Sequence, residues 1–407
     1  MGEALRARLP SRRTGVGRAV RGALTLVGVL VMVATLQVGI SVVGALRAPG
    51  NASFKAKWAD WLRDHNGATL VNALEEVYFA RDAPKKGGQP KHGVERVAAP
   101  VAVNIKGSHN PPGGVSKPGA VTPVPTTVPH LPAPAPVRLV TASIAGEGVW
   151  QPTGPLIGGQ AGLYVTQVRP DSVHTSVLVS LAYMDTKLFR LHLMPGTQEP
   201  AQKFATPSAI TSELRPKVVA AFNSGFRFND GAGGFYLEGN EAAPLKDGKA
   251  SVVIYKDGHV DIGQWGREVR LTGDVESVRQ NLVLLVDHGA AVQGLNPDDN
   301  SVWGPTLNGK VLVPRTGVCV DAQGGVIYVG GPGMNITTLA DTMARAGCVR
   351  GMELDINYEW AVFNIFDHTN PADPSQIQGR KLYTEQQQSA DHFLSPNARD
   401  FFLLTTR

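Results

Sequence analysis

The sequence predicts an α+β domain of mostly antiparallel strands with a strand-helix-strand unit, preceded by a transmembrane helix and a Pro-rich linker. Three observations predict this architecture. Short apolar segments separated by turn dipeptides fill residues 138–407, one helical pattern interrupts them, and a long uncharged segment lies near the N-terminus.

The N-terminal residues have the pattern of a membrane anchor. Residues 1–22 carry six arginines and one acid and are predicted to be a basic cytoplasmic tail. Residues 23–46 contain no charged side chain, and as a helix they would be about 36 Å long, enough to span a membrane. A cleaved signal peptide is the alternative, but its apolar region usually ends within about 15 residues. The expected location is the cell membrane, single-pass, with the main domain extracellular.

The charge balance gives no indication of a nucleic-acid partner. The chain has 39 Lys and Arg against 34 Asp and Glu, a net charge of +5, and the basic tail alone supplies that excess. The remaining residues are therefore near neutral, so no nucleic-acid-binding patch is predicted.

Two further segments precede the main domain. Residues 47–82 are predicted to form two juxtamembrane amphipathic helices, the first of them beginning behind Ser53. Their apolar positions are Phe54, Trp58, Trp61 and Leu62 in the first helix and Leu70, Val71, Leu74, Val77 and Tyr78 in the second. Residues 83–137 are rich in proline without a sustained apolar period, which predicts a disordered linker.

The main domain, residues 138–407, contains clear turn and helix signals. Asp257-Gly258 and Gly324-Gly325 each separate two apolar segments and predict hairpins. Thr338 and Asp341 have the spacing of a capping box, and Gly347 is expected to end the helix that follows.

The chain has two cysteines, Cys319 and Cys348, both in the main domain. An even number of cysteines in an oxidising compartment permits a disulfide between them. Two free buried thiols are the alternative.

The most informative segment for chemistry is residues 352–357, in which apolar and polar residues alternate. As a strand it places Glu353, Asp355 and Asn357 on one face, with neighbouring carboxylates about 7 Å apart. Such carboxylates can share a site and raise one another's pKa. A half-solvated strand without a functional role shows the same alternation.

Three more segments carry candidate binding residues. Gly331 and Gly333 lie in a glycine-rich segment before the predicted helix, where backbone N–H groups could face an anion, although a connecting turn has the same composition. Arg315 could clasp a phosphate or carboxylate, or act as a surface ion-pair partner. Asn223 ends an apolar strand, where it could orient a sugar or phosphate oxygen or simply form a turn.

Together these four segments resemble the phosphodiester glycosidase family. That family has a strand ending in Asn-Gly-Gly-Phe, an Arg-x-x-x-Gly strand, a glycine-rich loop with a helix, and Leu-Asp-Gly-Gly-Gly-Ser. The corresponding segments here are Asn223-Ser224-Gly225-Phe226, Arg315-Thr316-Gly317-Val318-Cys319, residues 330–347, and Leu354-Asp355-Ile356-Asn357. Ser224 replaces one glycine, and Ile356, Asn357 and Tyr358 stand where the family has its glycines. The resemblance covers most of residues 140–407.

The resemblance implies hydrolysis of a sugar-1-phosphodiester to a free sugar and a phosphomonoester. Asp355 or Glu353 would be the catalytic carboxylate, Arg315, Gly331 and Gly333 would hold the phosphate, and Asn223 and Asn357 would contact the substrate.

The implied role is in envelope or exopolysaccharide metabolism, with a phosphate-linked glycan as partner and the membrane contacted through residues 23–46. No cofactor is certain, and a divalent cation is left open. Two alternatives remain, namely a non-catalytic envelope protein that binds phosphate-linked glycans and a polysaccharide assembly factor.

Overall fold

The computed structural model describes most of the chain from residue 32 onward. The described residues are 32–33, 35–48, 53–67, 69–71, 73–74, 84–102, 128–230, 233–296, 303, 312–370 and 372–407. The contacts divide the chain into two compact units, residues 1–48 with 54–67, and residues 49–53 with 68–407. The predicted basic tail, residues 1–22, lies outside the described part.

The described residues of the smaller unit are mostly helical. Residues 32–33 and 35–47 are helical, and α1 spans Phe54–Asp64. Trp61 Nε1 donates to Ser41 Oγ at 2.9 Å, so α1 packs beside the preceding helical residues. None of the helices within the described residues is both long and apolar enough to cross a membrane. Residues 23–31 of the predicted span lie outside that part of the chain.

Residues 69–71 and 73–74, where the second amphipathic helix is predicted, are helical. The rest of that predicted helix, residues 75–82, lies outside the described residues.

The larger unit contains three sheets whose strands pair almost entirely antiparallel, as the sequence predicts. The nine-stranded sheet has the order β1-β2-β3-β4-β15-β14-β16-β12-β13, and only β1 and β2 pair in parallel among its described strands. Its strands are β1 (Val101–Ala102), β2 (Gln151–Ile157), β3 (Gln160–Val168), β4 (Val179–Met184), β12 (Leu284–Asp287), β13 (Ala290–Ala291), β14 (Val313–Asp321), β15 (Val326–Met334) and β16 (Cys348–Glu353).

The other two sheets have five strands each. One has the order β10-β9-β11-β7-β8, with β7 (Phe235–Leu237), β8 (Asn240–Ala243), β9 (Ala250–Tyr255), β10 (Val260–Gln264) and β11 (Val275–Gln280). The other has the order β18-β17-β6-β19-β5, with β5 (Phe189–Met194), β6 (Val218–Asn223), β17 (Phe363–His368), β18 (Ile377–Lys381) and β19 (Phe401–Thr406). The predicted hairpins are β9–β10 and β14–β15.

The strand-helix-strand unit is β15, α2 (Ile336–Arg345) and β16, with β14 lying between the two strands in the sheet. The predicted capping box was misplaced by three residues. Asn335 is the N-cap, because its side chain accepts from the Thr338 N–H while Thr338 Oγ1 accepts from the Asn335 N–H. Gly347, with φ +95°, follows the helix in the left-handed conformation that favours glycine.

The core lies between the sheets because alternate residues of the central strands serve two different apolar clusters. In β4, Ala182 and Met184 join a cluster that includes residues of all three sheets. Leu181 and Tyr183 point to the other face, where α2 packs. Both faces of the nine-stranded sheet are therefore covered around β4, and every residue of that strand is buried.

The prediction of a disordered linker over residues 83–137 was wrong for its first part. Residues 84–102 lie along the edge of the main domain, and β1 pairs with β2. The backbone N–H of Glu95 donates to Gln167 Oε1 at 2.8 Å, and Gln151 Nε2 donates to the Glu95 carbonyl at 3.1 Å. Side-chain amides of β2 and β3 thus order an extended segment that has no apolar period of its own.

The last part of the predicted linker, residues 128–137, is also ordered. The Leu131 N–H donates to Asp185 Oδ2 at 2.7 Å, and the side chains of Leu131 and Val137 are buried. Gly148, at φ +71°, permits this packing, since an added Cβ would lie 1.8 Å from the Val137 carbonyl oxygen. Residues 103–127 lie outside the described part of the chain.

Candidate functional site

The two candidate carboxylates lie at the end of β16 and just beyond it. This strand stops at Glu353, earlier than the predicted strand through residue 357, and two further backbone hydrogen bonds continue the pairing. Leu354 N–H donates to the Thr316 carbonyl at 2.8 Å, and Thr316 N–H donates to the Asp355 carbonyl at 2.9 Å. Glu353 and Asp355 are both buried. The side chains of Glu353 and Asp355 are therefore surrounded by buried polar groups and not by solvent, as they would be on a half-solvated strand.

Glu353 forms an ion pair with Arg315 inside the protein. Arg315 Nη1 donates to Glu353 Oε1, and Arg315 Nε donates to the Met334 carbonyl at 3.1 Å. Burial raises the pKa of Glu353 to about 7, against the opposing effect of the Arg315 charge. Its second oxygen, Oε2, has no hydrogen-bond partner among the described residues. Arg315 is therefore directed toward a carboxylate, and the phosphate role predicted for it stays a prediction.

Hydrogen bonds fix the backbone of Asp355, and its side-chain carboxylate contacts a backbone N–H and an arginine. Its N–H donates to Thr316 Oγ1 at 3.0 Å, and its Oδ1 accepts from the Asn357 N–H at 2.8 Å. Arg399 Nη1 lies 3.3 Å from Oδ2. Burial raises the pKa of Asp355 to about 6, although the Arg399 charge lowers it.

Asn223, the last residue of β6, is bonded to β14, to β15 and to the segment before β17. Its Nδ2 donates to Thr316 Oγ1 at 3.0 Å and to the Ser224 carbonyl at 2.9 Å. Its Oδ1 accepts from the Tyr328 hydroxyl at 3.2 Å and from the Val362 N–H at 3.3 Å. Every hydrogen-bonding group of this amide is thus engaged inside the protein.

A small concavity lies beside Asp355. It is lined by Asn223, Ser224, Gly225, Asp355, Trp360, Val362, His392, Phe393, Asn397, Arg399 and Asp400. The structure therefore brings together Asp355 and Asn223 of the predicted site residues. Glu353, Arg315, Gly331, Gly333 and Asn357 are not among the lining residues.

Arg399 is the permanently charged cation among these described lining residues. Its guanidinium lies over the Trp360 ring, 4.2 Å from the ring centroid, and faces Asp355 with Nη1. His392 also lines the concavity, but burial lowers its pKa to about 4, so its imidazole is neutral at pH 7.

A second buried pair supports the wall of the concavity. Arg279 Nε donates to Asp400 Oδ2 at 2.6 Å, and the Ser224 hydroxyl donates to the same oxygen. Arg279 also donates to the carbonyls of Gln280 and Phe226, both at 2.6 Å. Ser224, which replaces a family glycine, thus has a defined hydrogen-bonding role.

The glycine-rich segment is the end of β15 and not a loop. Gly331 pairs with Arg315 in the antiparallel ladder, and Gly333 is buried. A Cβ at Gly333 would lie 2.5 Å from Pro84 Cγ, so glycine is needed there for close packing. The side chain of Asn335 caps the helix that follows. Anion binding by this segment stays a prediction.

Asn357 shapes the turn after Asp355. In addition to the bond from its N–H to Asp355, its Oδ1 accepts from the Glu359 N–H at 2.9 Å. Ile356, Asn357 and Tyr358 all have negative φ values. This turn therefore needs no left-handed residue at the positions where the family has glycine.

The two cysteines form the disulfide that the sequence permits. A disulfide joins Cys319 of β14 to Cys348 of β16, with the two Cα atoms 5.6 Å apart. No group of three or more His, Cys, Asp or Glu residues within the described ranges is arranged to hold a metal ion.

Sequence reasoning missed Arg399, Asp400 and Trp360. The segment Asn397-Ala398-Arg399-Asp400 directly precedes the apolar strand β19. A charged pair at the start of a buried strand is the signal that could have indicated the site, since such charges need buried partners.

Comparison with known proteins supports the family resemblance over part of the chain. The phosphodiester glycosidase model matches residues 216–355, which include Asn223, Arg315 and Asp355. The resemblance predicted from the sequence is therefore confirmed for this segment. No curated protein matches the chain.

The chain is also similar to several solved structures. One is the catalytic domain of zebrafish N-acetylglucosamine-1-phosphodiester alpha-N-acetylglucosaminidase, auto-inhibited by its pro-peptide, at 16% identity, covering 60% of this chain and 82% of that one with a TM-score of 0.39. A Synechocystis protein has 12% identity, coverage of 63% and 64%, and a TM-score of 0.37. An exported protein from Burkholderia pseudomallei has 11% identity, coverage of 57% and 74%, and a TM-score of 0.32.

Proposed function

We propose that this chain, whose residues 216–355 match the phosphodiester glycosidase model, hydrolyses a sugar-1-phosphodiester in the concavity beside Asp355. The observation that carries the proposal is the position of Asp355. It is a buried carboxylate that lines the concavity, and it faces a buried arginine. A carboxylate and a cation at one site suit a reaction on a sugar that carries a phosphate.

The pKa of Asp355 suits a general base. With a pKa of about 6, it is mostly ionised at pH 7 and still has appreciable proton affinity. Thr316 fixes its backbone through hydrogen bonds to both the N–H and the carbonyl of Asp355. The carboxylate is thereby held in position before substrate binds.

In the proposed reaction Asp355 takes a proton from water as the water oxygen bonds to the anomeric carbon. The bond between that carbon and the phosphate oxygen breaks, and its electron pair leaves with the phosphomonoester. The phosphomonoester has a last pKa of about 6, so this leaving group needs little help from an acid. Asp355 then releases its proton to solvent. Glu353, which is paired with Arg315 away from the concavity, is the less suitable base.

Turnover of a chromogenic N-acetylglucosamine-1-phosphodiester by the full chain tests the proposal. Asp355→Asn is expected to lower kcat by at least about 100-fold, because general-base catalysis typically contributes 10²–10⁴-fold. Asp261→Asn is the matched control, since Asp261 also pairs with an arginine, Arg350, outside the concavity. Full activity of the folded Asp355→Asn variant would remove Asp355 from the catalytic role.

A second candidate function is binding of phosphate-linked glycans without turnover. The replacement of the family's glycines after Asp355 by Ile356, Asn357 and Tyr358 favours it, because a fold can keep its cleft after such changes when the activity is lost. Saturable binding of the diester without release of a phosphomonoester would establish this alternative. Absence of binding would favour an assembly role.

We also propose that the protein is anchored in the cell membrane by residues 23–46, with the main domain outside and acting in envelope or exopolysaccharide metabolism. The exposure of Met32, Leu36 and Ile40, at 69%, 63% and 64%, supports a lipid environment for this segment. The test is carbonate extraction of membranes that contain the full chain. Retention in the pellet, lost on deletion of residues 1–46, is expected, and release of the full chain would oppose the anchor.

A further inference from the structure

We infer that Arg399 is the phosphate-binding cation of the concavity, and that the substrate phosphate displaces the Asp355 carboxylate from its guanidinium. This inference rests on the proposed function and names the group that this site binds. It assigns a binding role to a residue outside the four segments that the sequence indicated.

The Arg399–Asp355 pair lies at the concavity itself. Arg399 and Asp355 line the same concavity, and their side chains are 9% and 2% exposed. Arg315 is not a lining residue and donates to Glu353 and to the Met334 carbonyl. Arg279 also lies outside the lining set, and its donors bind Asp400 and two carbonyls. Arg399 is therefore the arginine that an anion entering the concavity would meet.

The contact between Arg399 and Asp355 is long for an ion pair. Its N–O distance is 3.3 Å, whereas the neighbouring Arg279–Asp400 pair has 2.6 Å. Charge-assisted hydrogen bonds between arginine and carboxylate are usually about 2.7–2.9 Å long. The contact with Asp355 is thus weaker than that of the adjacent structural pair, and a phosphate oxygen can replace it at lower cost.

Trp360 orients the guanidinium of Arg399. Trp360 packs against its face at 4.2 Å, while guanidinium hydrogen bonds lie in its plane. Stacking on Trp360 therefore fixes the plane of the Arg399 guanidinium. Trp360 acts here as a positioning residue.

Displacement would change the state of Asp355. The charged or titratable groups around Asp355 include Arg399 and Asp230, which act on its pKa, and Glu353 and Tyr328, on which Asp355 acts. His392 and Asp400 line the same concavity. Only Arg399 among these described groups stabilises the ionised carboxylate, so its transfer to phosphate increases the proton affinity of Asp355. Binding of phosphate would then be accompanied by proton uptake at Asp355, which is the protonation state that the proposed reaction reaches after Asp355 has taken its proton from water.

The test is calorimetric titration of the full chain with inorganic phosphate at pH 7, in two buffers of different ionisation enthalpy. Wild type is expected to bind phosphate with more proton uptake than Asp355→Asn, in which only the phosphate itself can change its ionisation. Arg399→Gln is expected to weaken binding at least about tenfold, the effect of losing one charge-assisted contact of about 1.4 kcal/mol or more. The matched control Arg350→Gln, whose partner is Asp261, should bind as wild type does.

Asp355→Asn distinguishes exchange from a merely structural pair. With the competing carboxylate removed, phosphate should bind as tightly as to wild type or several-fold more tightly, and with less proton uptake than wild type shows. If Arg399→Gln does not fold, Arg399→Lys takes its place and should weaken binding, because lysine cannot offer two parallel hydrogen bonds.

Three results would overturn the inference: no phosphate binding by wild type, unchanged binding by the Arg399 variant, or loss of binding in Asp355→Asn. The fate of the proposed function is measured separately by diester turnover. Phosphate exchange without turnover would remove the enzymatic proposal alone. If Arg399→Gln keeps full turnover of the diester, only the inference about phosphate exchange is overturned.

Discussion

At the residue scale, burial determines the charge of the two candidate carboxylates. Glu353 and Asp355 both have raised pKa values even though each contacts an arginine. Desolvation of an ionised carboxylate outweighs the attraction of one neighbouring cation at such positions. The two groups differ in access, because Asp355 lines the concavity and Glu353 does not.

The raised pKa of Asp355 predicts how stability depends on pH. Its pKa rises from the usual 3.8 to about 6 on folding, so the folded protein retains a proton that the unfolded chain releases. The resulting stabilisation is complete below about pH 4 and is lost as the pH rises through about 6. A shift of about two units corresponds to about 3 kcal/mol.

Urea unfolding of wild type and Asp355→Asn between pH 4 and 8 measures this effect. The free energy of unfolding of the variant should gain about 3 kcal/mol relative to wild type over that range. Comparing slopes removes any constant cost of the substitution. A pH-independent difference between the two proteins would show that Asp355 does not titrate as expected.

The Arg315–Glu353 pair predicts a second residue-scale result. Arg315→Met should lower the free energy of unfolding by about 3–5 kcal/mol, because it leaves Glu353 buried without its cation. The double variant with Glu353→Met should recover most of this loss. Thermal or chemical unfolding checks both variants, and equal destabilisation by the single and double changes would contradict the account.

Residue types in the sequence predicted part of the site. Asp355 and Asn223 could be selected because each follows apolar strand residues and matches a family motif. Arg399 and Trp360 could not be selected, since Arg399 contacts Asp355 and Trp360 across 44 and 39 residues of chain. Long-range pairing of charges leaves no local pattern in the sequence.

At the element scale, the strand-helix-strand unit was predictable because each part has a local signal. Turn dipeptides set the hairpins, and Gly347 ends α2. The end of β16 and the strand character of Gly331 were not predictable. Both depend on partners in β14, which pairs with β16 and β15 on its two sides.

The disulfide between β14 and β16 supplies the element-scale prediction. It closes a loop with a sequence separation of 29 residues that contains α2. A loop of that length corresponds to about 3–4 kcal/mol in the chain-entropy treatment. The double change Cys319→Ala and Cys348→Ala should therefore lower the free energy of unfolding by at least that amount. Urea unfolding under oxidising conditions measures it, and an unchanged midpoint would contradict the prediction.

At the scale of the whole molecule, the main domain begins earlier than composition indicates. Proline-rich residues lack an apolar period, so sequence patterns classify them as linker. Residues 84–102 and 128–137 are nevertheless ordered by the sheet they contact, as the Glu95–Gln167 and Leu131–Asp185 hydrogen bonds demonstrate. Order that depends on contacts with another part of the fold cannot be predicted from the sequence of the segment alone.

This boundary can be tested by truncation. A fragment of residues 138–407 should be less stable than one of residues 84–407, by about 3–6 kcal/mol, the value of burying two large apolar side chains, here Leu131 and Val137. Urea unfolding of both fragments gives the difference. Equal stability would restore the predicted linker boundary at residue 137.

The most direct test of the central claim follows oxygen from water into the products. Hydrolysis of a sugar-1-phosphodiester by the full chain in water enriched in oxygen-18 should place the label in the free sugar, because the proposed reaction breaks the bond to the anomeric carbon. Mass spectrometry of the sugar and the phosphomonoester reads the position. Label in the phosphomonoester, or no hydrolysis by the folded protein, would contradict the account.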